Sequence, residues 1–275
     1  LPAATPEEIL GLTIPDGHYD LSPERHAQVM HFVRAPESFT SEPGDAAHPV
    51  FAHLANQCGM AWTFDDFLAA VGASAADGVV IGSGTFDFVR PITVGVDYTV
   101  RARFVDVQRR HGRRMGDFDA ITVALELLDG TEGVVTMHET YVVPRGPAPD
   151  VEPGPPAPVA AAGDGYPVGP IDVADIVGLM RTMHDTNPIH DDRAVAVASG
   201  FRGIVNQAPA NLAYIFNAMA IERGGLSDLR RVEFAFRDAV VEGDRLEVRL
   251  TDDGRDGTLV IIDGGPAVTC RVEFG

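Results

Sequence analysis

The chain has 275 residues, 45% of them hydrophobic, with 40 acidic against 21 basic side chains and a formal net charge of −19. That charge argues against broad nucleic-acid binding, because a polyanion is repelled at long range. No apolar run approaches the roughly 18 to 20 residues that span a bilayer. Every basic residue is arginine, which excludes Schiff-base and other lysine chemistry.

The first residues, Leu1-Pro2-Ala3-Ala4-Thr5, have neither the basic start nor the apolar stretch of a signal peptide, so a cytoplasmic protein is expected. From Pro49 to Val71 the residues Phe51, Leu54, Ala55, Cys58, Trp62, Phe67 and Leu68 recur at largely helical spacing and predict one long helix. Strand-like runs follow at Thr85–Val89, Tyr98–Val107, Ala120–Leu127 and Val134–Val143. Between two of them lies Arg109-Arg110-His111-Gly112-Arg113-Arg114. It reads as a solvated hairpin tip or, through Arg113 and Arg114, as a handle for carrier phosphates. Residues 147–170, rich in Pro, Ala and Gly, predict a semi-rigid linker between an N-terminal unit, 1–146, and a C-terminal unit, 171–275.

Beyond it, Asp172 can cap a helix over Val173–Thr182, and a short helix over Arg193–Ser199 ends at Gly200. A longer helix is predicted over Pro209–Arg223, then strands at Arg231–Phe236, Arg245–Leu250, Thr258–Ile262 and Ala267–Phe274. One long helix followed by antiparallel strands, twice over, indicates an α+β fold in which each sheet wraps a helix. The repeat is visible in Phe88 to Val100 (FVRPITVGVDYTV) and Phe236 to Val248 (FRDAVVEGDRLEV), which share Phe, Gly and Val at an offset of 148. Cys58 and Cys270 are too few for a disulfide framework and read as buried free thiols.

The chemistry concentrates in Met183-His184-Asp185-Thr186-Asn187-Pro188-Ile189-His190. Pro188 fixes its own φ and pushes Asn187 out of the helical region, so the segment is an ordered turn. Such a turn can aim Asp185 and His190 at one point, suited to moving a proton or holding a water. It can equally be a capped loop whose polar side chains bond only local backbone. An offset of 148 carries Asp185 to Glu37 and His190 into a stretch without histidine, so one active site per chain is expected, with the N-terminal unit shaping the substrate pocket. No further ligands stand at metal spacing, and no metal is expected.

The segment 184–192 resembles the G-D-x-N-P-[IL]-H-x-D signature of MaoC-like dehydratases and (R)-specific, type 2 enoyl-CoA hydratases. Gly203-Ile204-Val205-Asn206-Gln207-Ala208-Pro209 is similar to their G-[LI]-V-x-H-G-P run, and the repeated Phe-to-Val segments to their F-x-x-P-[IV]-x-x-G-D-x-L strand motif. The resemblance covers most of residues 30–275 and implies a double hotdog fold. It implies reversible hydration of a 2-enoyl thioester to a (3R)-hydroxyacyl thioester, with coenzyme A or phosphopantetheine entering only as part of the substrate. Asp185 and His190 would then be catalytic, with Ala208, Gln207, Asn187 and Gly203 around the thioester. Two residues depart from the pattern: His184 replaces the glycine before the Asp, and Gln207-Ala208 replaces His-Gly. Ala208 keeps a backbone N–H at a predicted helix start, where unpaired donors favour an oxyanion. Three other activities share the scaffold: a hydratase for a branched dicarboxylic (mesaconyl-CoA type) or polyketide substrate, a silent thioester-binding subunit, and a thioesterase. The partner expected is an acyl-CoA or acyl-carrier protein, with the chain as a monomeric pseudo-dimer or a homodimer.

Overall fold

The structure, a computed structural model, describes residues 4–112, 116–146, 165–262 and 264–275. In chain order its elements are α1 (Pro6–Leu10), β1 (Gly17–Asp20), α2 (Pro23–Phe32), α3 (Val50–Gly59), α4 (Phe64–Ala70), β2 (Val80–Phe88), β3 (Asp97–Gly112), β4 (Gly116–Asp129) and β5 (Glu132–Pro144). Then follow β6 (Tyr166–Val168), α5 (Val173–Met183), α6 (Arg193–Ala198), α7 (Ala208–Arg223), β7 (Leu229–Phe236), β8 (Leu246–Leu250), β9 (Asp256–Ile261) and β10 (Pro266–Phe274).

All ten strands join one antiparallel sheet in the order β1-β3-β4-β5-β2-β7-β10-β9-β8-β6. Matched from the two outer edges, β1, β3, β4, β5 and β2 correspond to β6, β8, β9, β10 and β7. The halves therefore meet where β2 pairs with β7, from Ser83 opposite Ala235 to Asp87 opposite Arg231. Gly84 is required at this seam, since a Cβ there would lie 2.5 Å from the Phe234 ring. α3 and α7 fill the concave side. Pro209 through Ala220 are all buried, as expected of a helix wrapped by sheet rather than laid on a surface.

Gly95 and Gly243 both take positive φ, +82° and +80°, and their N–H groups bond to the carbonyls of Leu21 and Ile171. This is the physical content of the repeated glycine: only an unbranched backbone turns there without strain. α2 and α5 correspond at an offset of 150. Arg34 and His184 close them in the left-handed region, at φ +54° and +53°. The next N–H returns to the helix in each case, Ala35 to Met30 and Asp185 to Met180.

Four readings of the sequence need correction. The expected helix 49–71 is two helices: Met60 is extended, and Thr63 starts α4 with a capping box closed by Asp66. The expected linker ends earlier, because Tyr166–Val168 forms edge strand β6 against β8; residues 147–164 lie outside the described residues. Cys58 is only half-buried, while Cys270 is fully buried. Finally, the counterpart of Asp185 is Ala35, not Glu37. Among the described residues no helix is long and apolar enough to cross a membrane.

Candidate active site

α5 ends in a left-handed cap, and that cap delivers Asp185. His184 N–H bonds to Arg181 O at 3.2 Å and Asp185 N–H to Met180 O at 3.0 Å, a Schellman-type closure that turns the chain sharply outward. The family's glycine before the aspartate is explained by this φ, which His184 adopts at a cost of about 1 kcal/mol. Asp185 Oδ1 then accepts the Asn187 N–H at 2.9 Å, and Asn187 Oδ1 accepts the Ile189 N–H at 3.3 Å. Asn187, 7% exposed, braces the turn. Pro188 opens a single 3-10 turn ending at His190.

His190 is buried, and its Nδ1 lies 2.7 Å from the Val205 carbonyl oxygen. A carbonyl only accepts, so Nδ1 carries the hydrogen and Nε2 of the neutral ring presents a lone pair. That Nε2 is 3.4 Å from Asp185 Oδ2. Two acceptors at this spacing do not bond each other directly. With a lone pair on Nε2, one water about 2.8 Å from each would donate a hydrogen to the carboxylate and one to the imidazole.

Val205 also pairs with Val241, and its N–H bonds to Ile189 O at 3.0 Å, so the turn and the segment leading to α7 are stitched together. Three residues on, Ala208 is the first residue of α7. Its N–H has no partner among the described residues, and the positive end of the helix dipole lies with it. Gln207 is buried and donates to Ile176 O at 2.9 Å, tying the start of α7 to α5. Gly203 lies against Glu242: a Cβ there would meet Oε1 at 2.7 Å, and that carboxylate pairs with Arg193 of α6. Backbone bonds thus join the turn bearing Asp185 and His190 to the segment that leads to Ala208, while Asn187 bonds within the turn, Gln207 bonds to α5 and Gly203 packs against Glu242. Arg113 and Arg114 lie outside the described residues. Of their neighbours, Arg109 pairs with the buried carboxylate of Asp119, and His111 with Asp117.

The N-terminal unit, expected from the repeat to shape the substrate pocket, comes close to this turn. Cys58, near the end of α3, donates to Met183 O at 3.4 Å. Desolvation pushes its thiol up to about 12, with Arg25 opposing and the charge of nearby Asp185 adding, so it stays protonated at neutral pH. Cys58 thus brings a side chain of the N-terminal unit against the end of the helix that delivers Asp185.

The matching place in that unit is chemically bare. The ladders Ala47 N–H to Ile92 O and Asn206 N–H to Val240 O correspond, which places His48 opposite Gln207 and Pro49 opposite Ala208. Pro49 has no N–H to offer, and Ala35 has no carboxylate. A pocket of about 150 Å³ persists there, lined by Phe39, Ala47, Pro49, Phe88, Ile92 and Leu226. The offset grows from 150 at α5 to 159 at Val205, so the C-terminal unit holds nine extra residues, including α6, between Asp185 and α7.

No family model matches the chain, and no curated protein matches it. Solved structures do. HtdX of Mycobacterium tuberculosis is similar over 95% of this chain and 100% of its own, at 18% identity and a TM-score of 0.69. A MaoC-like dehydratase from Phytophthora capsici matches over 98% of both chains, at 12% identity and a TM-score of 0.74. Rv0216 of Mycobacterium tuberculosis, described as having a double hotdog fold, covers 95% of each chain, at 14% identity and a TM-score of 0.60. The sheet order and these likenesses together show an α+β chain with the double hotdog fold, structurally similar to MaoC-like dehydratases.

Proposed function

We propose that the protein is a hydro-lyase that reversibly adds water across the double bond of a 2-enoyl thioester, giving a (3R)-hydroxyacyl thioester. The observation that carries this reading is the orientation of His190: with Nδ1–H held by Val205 O, its free Nε2 faces Asp185 Oδ2 at 3.4 Å. The likeness to MaoC-like dehydratases supports it. A water donating to both groups points a lone pair at the electrophilic C3. As the O–C3 bond forms, one water proton passes to the Asp185–His190 pair and the C2=C3 π electrons move toward the carbonyl. The thioester oxygen becomes enolate-like, and the Ala208 N–H at the head of α7 steadies it. Such a donor contributes about 3 kcal/mol to the transition state. A proton then returns to C2 and the thioester is restored. The acid and base roles are assigned to the Asp185–His190 pair together, whose facing atoms lie 3.4 Å apart.

The acyl group is carried by coenzyme A or by a carrier protein's phosphopantetheine, and one chain supplies one active site. Loss of enoyl-thioester absorbance with purified protein, over a panel of acyl groups and with chiral analysis of the product, tests the reading. Asp185→Asn and His190→Gln should each lower turnover by about 100-fold or more with the fold intact. Wild-type rates in both variants would remove the pair from the mechanism. Release of free thiol without hydration would make the protein a thioesterase.

A further inference from the structure

α3 carries a second polar group of side chains that the hydration chemistry does not use. His53 and Asn56 are both 0% exposed, and Gln57 adjoins them on the same side of the helix. His53 Nδ1 donates to Glu139 Oε1 at 2.5 Å. Asn56 Nδ2 donates to the other Glu139 oxygen and to the Tyr141 hydroxyl. Three buried atoms are left over: His53 Nε2, Asn56 Oδ1 and Gln57 Oε1 have no hydrogen-bond partner among the described residues. The two amide oxygens only accept and meet no donor, and His53 Nε2 has no partner of either kind.

These atoms lie close to the proposed reaction site. Gln57 is followed by Cys58, whose thiol touches the carbonyl of Met183 at the head of the catalytic turn. Phe236 is the counterpart of Phe88, which lines the equivalent pocket of the other half, and its ring centroid is 6.3 Å from that of His53. Along the α3 axis, His53 stands about 7.5 Å from Cys58.

We propose that His53, Asn56 and Gln57 form a specificity site for acyl groups bearing a hydroxyl remote from the reacting carbons; this rests on the hydratase reading. A plain alkyl chain at this position leaves these polar atoms dry, which is unfavourable, whereas a hydroxyl can donate to either amide oxygen. A carboxylate brings no hydrogen to those oxygens. An ammonium group holds its water too strongly to enter among Phe86, Phe234 and Phe236.

The test uses chain-matched 2-enoyl-CoA pairs with and without a hydroxyl, moved carbon by carbon along the chain. At one mid-chain position the hydroxyl should raise kcat/KM by about 10-fold or more. Gln57→Leu, which leaves the Glu139 cluster intact, should reverse that preference by lowering kcat/KM for the hydroxylated acyl and raising it for the plain one. Asn56→Leu should do the same where it folds. Calorimetric binding of the corresponding saturated acyl-CoA pair reads the preference without turnover. If no enoyl thioester reacts but binding still favours the hydroxyl, the hydratase reading fails and the specificity site stands. Equal rates and equal binding at every position overturn the site, with water satisfying the acceptors, and leave the hydratase reading in place.

Discussion

Ala208→Pro removes a single hydrogen atom from the proposed oxyanion site and little else. Ala208 opens α7, the position at which a helix tolerates proline because its N–H has no intrahelical partner. The preceding Gln207 is at φ −64°, ψ 144°, the extended conformation that a following proline demands. The protein already contains the experiment in its other half, where Pro49 occupies the matching place at φ −58° and α3 follows it normally. No hydrogen bond of the fold among the described residues uses the Ala208 N–H, so stability should change little. The enolate-like oxygen loses a donor contributing about 3 kcal/mol, which translates to a fall in kcat of roughly 10²-fold. Initial rates of enoyl-thioester absorbance loss give kcat and KM, and thermal unfolding checks that the fold survives. Ala208→Gly keeps the N–H and should retain turnover within about threefold. A folded Ala208→Pro enzyme with wild-type kcat would mean that the oxygen is steadied elsewhere, and the helix start would lose its role.

Two further outcomes are expected. His184→Gly relieves a left-handed residue at the end of α5 and should stabilise the protein by about 1 kcal/mol, seen as a rise in Tm of roughly 2 °C with turnover preserved. A Tm that falls would show that the His184 side chain contributes more than its backbone costs. His48 and His26 are held neutral by burial, with folded-state values of about 3 and about 4 against 6.5 in the unfolded chain; Asp45 partly opposes the shift at His26 and Asn217 that at His48. The unfolded state binds the extra protons, so their contribution is complete above pH 6.5 and declines as pH falls toward 4, on the order of 3 kcal/mol for His26 alone. Urea midpoints between pH 7.5 and 5 should drop accordingly. The drop should be smaller in His48→Gln, which places the residue found at the matching position 207. Identical slopes would exclude His48.

What the sequence revealed was local. Asn187-Pro188 constrains its own backbone, so the turn that joins Asp185 to His190 could be read from residue chemistry, and α7 from Leu212, Ile215, Phe216 and Met219 at helical spacing. β1 and β6 were illegible because four- and three-residue edge strands exist only through their partners β3 and β8. The break in the expected helix was masked by apolar spacing that continues across Met60 to Thr63, although Thr63 and Asp66 carried a capping signal. The partner of His190 was a carbonyl, Val205 O, which any residue supplies, so no side chain could announce the tautomer.

The repeat was visible in the strands but misaligned in the loops, and the reason bears on function. A constant offset holds where β-ladder pairing forbids slippage, since one residue of slip would turn every side chain to the opposite face. It fails between α5 and α7, where nine residues are inserted. That insertion carries α6, whose Arg193 pairs with Glu242 beside Gly203, and it lengthens the span that bears His190. The two units therefore differ at the three places the hydration chemistry needs: a carboxylate at Asp185 against Ala35, an imidazole at His190 against none in the shorter loop, and an N–H at Ala208 against Pro49. On the proposed mechanism the lack of any one would weaken a hydration site, and the N-terminal unit lacks all three.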